Sequence, residues 1–219
     1  MPGYAGRMDV LVAGGHGKIA RHLLRLLAEH GHHGLGLIRN PDHAADLEAD
    51  GAVPVLCDLE HDDPRPHLGA ADVIVFAAGA GPGSGPERKR TLDYGGAVKL
   101  IAAAEELGVR RYLMVSSMGA DDPESASEAM RPYQQAKYDA DEALAASGLD
   151  WTIVRPGGLT DEPGSGRVAL AGRLGRFGRV PRQDVALVLL ECLGAPHTVG
   201  KTFEVLEGEL PVREALAAL

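Results

Sequence analysis

Tyr133 and Lys137 stand four residues apart in Pro132-Tyr133-Gln134-Gln135-Ala136-Lys137. On a helix, that spacing projects both side chains from one face. An ammonium beside a phenol favours the phenolate, which makes such a tyrosine an acid/base usable near neutrality. Ser117, in Val115-Ser116-Ser117-Met118-Gly119, adds a hydroxyl that could hold a substrate oxygen. Together these groups can move a proton on or off an oxygen while a hydride moves to or from its carbon. With five Tyr and five Lys in the chain, random placement yields about 0.1 such pairs. The bland alternative is an exposed helical Tyr beside a solvated Lys.

Hydride chemistry needs a carrier, and Met8 to Arg39 has the pattern that holds one. Asp9-Val10-Leu11-Val12-Ala13 reads as a buried strand, Gly14-Gly15-His16-Gly17 as a turn, and Ile19, Leu23, Leu24, Leu26 and Leu27 as one face of a helix. A second strand, Leu35 to Ile38, ends at Arg39. Strand, glycine turn, helix and strand in about thirty residues is the dinucleotide-binding βαβ unit. Gly14 permits the sharp exit from the strand, Gly17 lets a diphosphate approach the backbone, and Ala20 allows close helix packing. The helix N-terminus offers N–H groups and a positive dipole end to that diphosphate. Gly14, Gly15, His16, Gly17, Lys18 and Ile19 are therefore candidate cofactor contacts, although His16 and Lys18 could equally face solvent.

An acidic residue at the end of the second strand would hold an adenosine ribose diol. Here an arginine stands, and a guanidinium suits a 2′-phosphate. Arg39 thus points to NADP(H) over NAD(H), the alternative being a solvated arginine before a helix. Asp58, after the strand Val53 to Leu56, could accept from an adenine amine or cap a helix. Leu59, Ala77, Ala78 and Gly79 share the same carboxyl edge of the sheet and join the candidate contacts.

The other elements alternate regularly. A short helix spans Asp42 to Asp50 after an Asn40-Pro41 start, and Asp72 to Ala78 forms a fourth strand. Gly79 to Pro86 has a linker's composition but a cofactor loop's position. A long helix follows from Glu87 to Glu106, then a strand Tyr112 to Val115, a helix Pro132 to Ser147 and a strand Asp150 to Val154. Val168 to Leu170 offers one further strand, Asp184 caps a last helix Val185 to Leu193, and Lys201 to Leu206 adds a final strand. The expectation is an α/β fold: one doubly wound parallel sheet of Rossmann type with helices on both faces, spanning residues 1–219 as one domain. Loops 118–130 and 157–180 would form a small substrate side.

Composition narrows the function classes. A net charge of −9 argues against a nucleic-acid surface. Arginines outnumber lysines 17 to 5 and are scattered, apart from Arg173, Arg176, Arg179 and Arg182. No signal peptide or membrane-spanning run is read. Cys57 and Cys192 read as buried thiols in a reducing cytoplasm. His30, His32 and His33 lack a completing ligand for a metal and are expected in an exposed turn. Ser116 lacks the G-x-S-x-G elbow of a hydrolase. The partner expected is a small-molecule substrate, not nucleic acid or membrane.

Gly14-Gly15-x-Gly17-x-x-Ala20, Ser116-Ser117, Tyr133-x-x-x-Lys137 and Thr152-Ile153-Val154-Arg155-Pro156-Gly157 resemble the short-chain dehydrogenase/reductase superfamily. More narrowly, they are similar to its atypical branch, small NAD(P)H-binding proteins described as epimerases or dehydratases. The resemblance covers nearly the whole chain, including Arg182 to Ala186. It implies NADP on the carboxyl edge of the sheet, Lys137 on the nicotinamide ribose, and Pro156 and Gly157 beside the nicotinamide. The superfamily's tetrad carries an asparagine on the helix after the fourth strand, where this chain offers Asp93. An ionised aspartate accepts hydrogen bonds but cannot donate as an amide does. Three readings follow: an oxidoreductase or epimerase/dehydratase-like enzyme, a non-catalytic NADP(H)-sensing protein, and an NADPH-dependent flavin or quinone reductase.

Overall fold

The computed structural model describes residues 6–81 and 83–219. The first five residues, and Pro82 of the glycine-rich loop, lie outside the described residues.

The first half runs β1 (Asp9–Ala13), α1 (Lys18–Glu29), β2 (His33–Ile38), α2 (Ala44–Ala49), β3 (Val53–Leu56) and β4 (Val73–Phe76). The second runs α3 (Pro86–Arg88), α4 (Ala97–Leu107), β5 (Arg111–Val115), α5 (Arg131–Ala145) and β6 (Asp150–Pro156). The remainder is β7 (Gly158–Thr160), β8 (Arg167–Ala171), β9 (Arg179–Pro181), α6 (Arg182–Leu193), β10 (Lys201–Glu207), β11 (Leu210–Pro211) and α7 (Val212–Ala217).

Nine of these strands form one sheet in the order β11-β8-β10-β6-β5-β4-β1-β2-β3. From β10 to β3 every pairing is parallel, with Leu11 opposite both Leu35 and Ile74. Two pairings at the other edge are antiparallel: β8 with β10, and β11 with β8. The sheet is thus mostly parallel rather than wholly so. A parallel return needs a crossover, and β8 follows β6 with no helix between them, so it comes back in the opposite sense. A small parallel pair, β7 with β9, stands apart from the main sheet.

Both faces of the sheet are covered, which explains the nearly unbroken apolar strands. Successive residues of β1 alternate between two cores. Val10 and Val12 face Leu23, Leu24 and Leu27 of α1 and Val188 and Leu189 of α6. Leu11 and Ala13 face the side of Leu100 and Ala104 of α4 and Ala140 and Leu144 of α5. From β1 the chain winds to β2 and β3 on one side; from β4 it winds to β5 and β6 on the other. That reversal opens a crevice at the carboxyl ends of β1 and β4, where this architecture binds ligands.

Three local expectations are corrected. The helix expected from Glu87 to Glu106 is interrupted, since Lys89–Gly96 between α3 and α4 is π-helical. Asp184 does not cap the last helix, which starts earlier, at Arg182 behind Pro181. Its buried carboxylate instead accepts the N–H groups of Ser165 at 3.1 Å and Gly166 at 2.8 Å. Of the three histidines placed in an exposed turn, only His30 is exposed. Gly31, at φ +77°, completes the turn early, so His32 is buried with its Nδ1 accepting the Met8 N–H and His33 opens β2 against Asp9.

Candidate active site

The carboxyl ends of β1 to β4 enclose a cleft of about 280 Å³. Gly14 enters it at φ +78°, and a Cβ there would stand 2.6 Å from the Ala78 Cα. Gly17 donates its N–H to the Gly14 carbonyl at 2.7 Å and opens α1 with no side-chain cap. The first N–H groups of that helix are therefore left without a competing side chain, a fit for diphosphate oxygens. Gly15 has a different requirement: its Cβ would lie 2.8 Å from the Gly36 Cα on β2. Gly14→Ala is expected to cost at least about 1–2 kcal/mol from left-handed backbone alone, before the clash with Ala78. A lowered thermal midpoint together with weakened nucleotide binding would register it.

Among the expected cofactor contacts, Gly14, His16, Gly17, Arg39, Asp58, Leu59, Ala77, Ala78 and Gly79 line this cleft. Arg39 is exposed, and no hydrogen bond or ion pair holds its side chain among the described residues. Asp58 serves its own turn too, with Oδ1 accepting the Glu60 N–H at 3.0 Å. Lys18 and Ile19 are not among the lining residues. Lys18 pairs with Asp161, which also holds Arg182 at 2.6 Å, while Ile19 is buried in the α1 core.

Sequence reasoning passed over His43, Cys57, Arg88 and Leu92, which also line the cleft. The His43 ring stacks on His16 at 3.6 Å between centroids, and His16 Nε2 meets Asp46 at 2.7 Å. Burial pushes the Cys57 thiol up to about 11, with Asp62 adding to the effect, so it is a wall and not a nucleophile. Arg88 is tethered to Glu60 at 3.2 Å, and Thr91 donates to the same carboxylate at 2.6 Å.

Asp93 joins the cleft to Lys137, which lies beside Tyr133. It sits in the π-helical turn, 1% exposed. A π turn carries an extra residue per loop and commonly marks a functional site. Its Oδ2 accepts the Ala80 N–H at 2.9 Å on the cleft wall. Its Oδ1 makes no hydrogen bond and lies 3.4 Å from Lys137 Nζ. Lys137, on α5, is buried, donates to the Val115 carbonyl at 3.3 Å, and places its Nζ 5.8 Å from the centre of the Tyr133 ring. Burial opposes the lysine's charge, but Tyr133, Asp93 and Asp141 outweigh it and hold its pKa above the ordinary value. These neighbours therefore favour the charged form of Lys137.

Tyr133 is half-buried, and its hydroxyl makes no hydrogen bond among the described residues. Ser117 is also half-buried; its Oγ donates to the Met118 carbonyl at 3.3 Å and accepts from Gln134 Nε2 at 3.4 Å. Pro156 lies close by, its carbonyl accepting the Met118 N–H at 2.9 Å. Gly157 is wedged beneath β10, where a Cβ would lie 2.4 Å from Leu206. The neighbouring Ser116 is buried and donates to Asp141 at 2.8 Å. Asp141 also receives Arg155 Nε at 2.9 Å.

A family model described as NAD(P)H-binding matches residues 14–196. The chain belongs to this NAD(P)H-binding family. Its relatives include the uncharacterized sugar epimerase YhfK of Bacillus subtilis, 40% identical over 97% of this chain and 100% of that protein. A solved NAD-dependent epimerase/dehydratase-type structure from Bacillus halodurans is 41% identical, with a TM-score of 0.93 over 97% of this chain and all of that one. ChuY, an anaerobilin reductase from Escherichia coli, is 26% identical, with a TM-score of 0.77 over 92% of this chain and 98% of that one. The chain's relatives thus include proteins named as epimerases, and its structural neighbours, of the atypical short-chain dehydrogenase/reductase type, include a reductase. Among the described residues, no helix is long and apolar enough to cross a membrane.

Proposed function

We propose that this chain is an NADP(H)-dependent oxidoreductase or epimerase/dehydratase-like enzyme acting on a small carbonyl or hydroxyl compound. The observation that carries the reading is the bridge made by Asp93. One carboxylate touches both the wall of the nucleotide cleft, at Ala80, and the ammonium beside Tyr133. That shared carboxylate supports reading the cleft, Lys137 and Tyr133 as parts of one site.

A nicotinamide held there would supply or accept the hydride. Tyr133 gives a proton to the substrate oxygen, or takes one from it, and Ser117 holds that oxygen. Lys137 stabilises the phenolate left behind, and its buried ammonium is in turn held by Asp93. Because Asp93 accepts and does not donate when ionised, its part here is to fix Lys137 rather than to pass protons onward. The Arg39 guanidinium, without a partner among the described residues, supports a 2′-phosphate at the adenosine end.

Titration of the purified protein with NADPH and NADH tests this reading, with Arg39→Asp as the control. A charge-assisted contact is worth about 1.5–3 kcal/mol, so the variant is expected to lose roughly 10- to 100-fold in NADPH affinity with little change for NADH. Equal losses for both nucleotides would remove Arg39 from the 2′-phosphate site. Failure of the native chain to bind either nucleotide would overturn the function.

The likeness to a reductase favours one second reading, direct hydride transfer from the nicotinamide to a conjugated acceptor such as a flavin or quinone. That reaction needs the cleft and an open approach but not Tyr133.

A further inference from the structure

Arg173, Arg176, Arg179 and Arg182 form a local basic cluster in a chain of net charge −9. Arg182 is engaged by Asp161 at 2.6 Å, and Arg173 comes no nearer than 3.8 Å to Asp121. Arg176 and Arg179 are exposed, and their side chains make no hydrogen bond or ion pair among the described residues. Between them, Phe177 is 90% exposed. The segment thus offers an open aromatic face between two solvent-facing guanidinia.

The segment is not a loose end. The Leu174 N–H donates to Glu204 at 2.6 Å, and Gly178 sits where a Cβ would meet Leu206 at 3.0 Å. It also stands at the reacting end of the site. The Gly178 carbonyl accepts the Gly158 N–H at 2.9 Å, and Arg179 pairs opposite Gly158 across β7 and β9. Asp121, four residues beyond Ser117, faces Arg173 and also lies 3.9 Å from Arg155. Met130 and Leu159, two further exposed apolar side chains, belong to the same two substrate-side segments.

We propose that Arg176, Phe177 and Arg179 form a rim that selects a flat, largely apolar substrate bearing a carboxylate or phosphate. The ring lies against Phe177, and the anion takes the guanidinia, whose planar forks suit carboxylate and phosphate oxygens. The rim's role as the substrate side rests on the function proposed above. Its preference in ligand class rests on its own residues. Two arginines on an otherwise acidic chain are too few for a nucleic-acid face, and the place of Arg179 on the strand paired with Gly158 favours a small molecule.

Calorimetric titration of the full chain with 2-naphthoate and with its neutral counterpart 2-naphthamide, each with and without NADP, tests the rim. The acid is expected to bind about 10-fold more tightly than the amide, a difference of about 1.4 kcal/mol, and to weaken with added salt. Arg176→Glu with Arg179→Glu should erase that preference and leave NADPH affinity and the thermal midpoint unchanged, since both side chains are solvated. Phe177→Ala should weaken acid and amide alike. Equal affinity for the two probes, no binding of either, or a preference that survives both charge reversals would overturn the proposal. Discrimination between the probes in a chain that binds no NADPH would support the rim's ligand class while overturning the proposed function.

Discussion

Tyr133→Phe is expected to lower turnover of a carbonyl or hydroxyl substrate by about 10²- to 10⁴-fold, the usual worth of a general acid/base. NADPH affinity should stay nearly unchanged. The Tyr133 hydroxyl has no hydrogen-bond partner among the described residues, so deleting it strands no buried donor or acceptor. The ring that remains can still lie 5.8 Å from the Lys137 ammonium. The variant should therefore fold as the native chain does, and a fall in rate reports chemistry and not damage. Lys137 offers no such clean test, because its removal would leave the Asp93 carboxylate buried without its cation. Steady-state rates and calorimetric NADPH binding on one preparation decide the matter. Full turnover by the variant with a carbonyl substrate would strike Tyr133 from the proton path. Full turnover with a quinone or flavin would assign the direct hydride-transfer reading instead.

Local and periodic features were legible in the sequence. The alternation of apolar runs gave the parallel strands from β10 to β3, because strands covered on both faces must be apolar throughout. The glycine turn located the cleft, and the spacing of Tyr133 and Lys137 put both on α5. Less legible was whatever depends on contacts distant along the chain. Nothing in Lys89–Gly96 announces a π turn, yet that turn sets Asp93 against both Ala80 and Lys137. Nothing in the sequence marks Arg111, yet its guanidinium reaches the Asp150 and Cys192 carbonyls and the hydroxyls of Thr152 and Thr198. Ser116 and Ser117 are equivalent as letters; strand alternation sends one inward to Asp141 and leaves the other at the site. His43 was invisible because its stacking partner, His16, is 27 residues away.

The second large effect lies behind the site. Asp141→Ala is expected to destabilise the fold by about 3–5 kcal/mol, the cost of breaking a buried charged pair from one side. The carboxylate ties α5 to the ends of two strands, accepting from Ser116 after β5 and from Arg155 on β6. Alanine would leave a largely buried guanidinium and a buried hydroxyl without that acceptor. For a chain of this length each kcal/mol moves the thermal midpoint about 2–4 °C, so a drop of about 6–20 °C is expected by calorimetry or circular dichroism. Asp141→Asn keeps an acceptor oxygen and should lose less. The pH dependence separates charge from shape. Burial raises the Asp141 pKa against the opposing pull of Arg155 and Ser116, so folding favours its protonated form. This group's stabilisation is complete below its unfolded value of about 3.8 and fades as pH rises through the raised folded value. Asp50 behaves oppositely: burial pushes its pKa up, but Arg21 and Arg25 pull it below the ordinary value, and its contribution is lost in acid. The difference between native chain and Asp141→Asn cancels Asp50 and isolates Asp141. The native chain should gain on the asparagine variant as pH falls through that window. A constant difference across it would mean that Asp141 holds the strands by shape and hydrogen bonding alone. A midpoint unmoved by alanine would mean that Arg155 turns to Asp121, 3.9 Å away, and that the buried pair contributes no net stability.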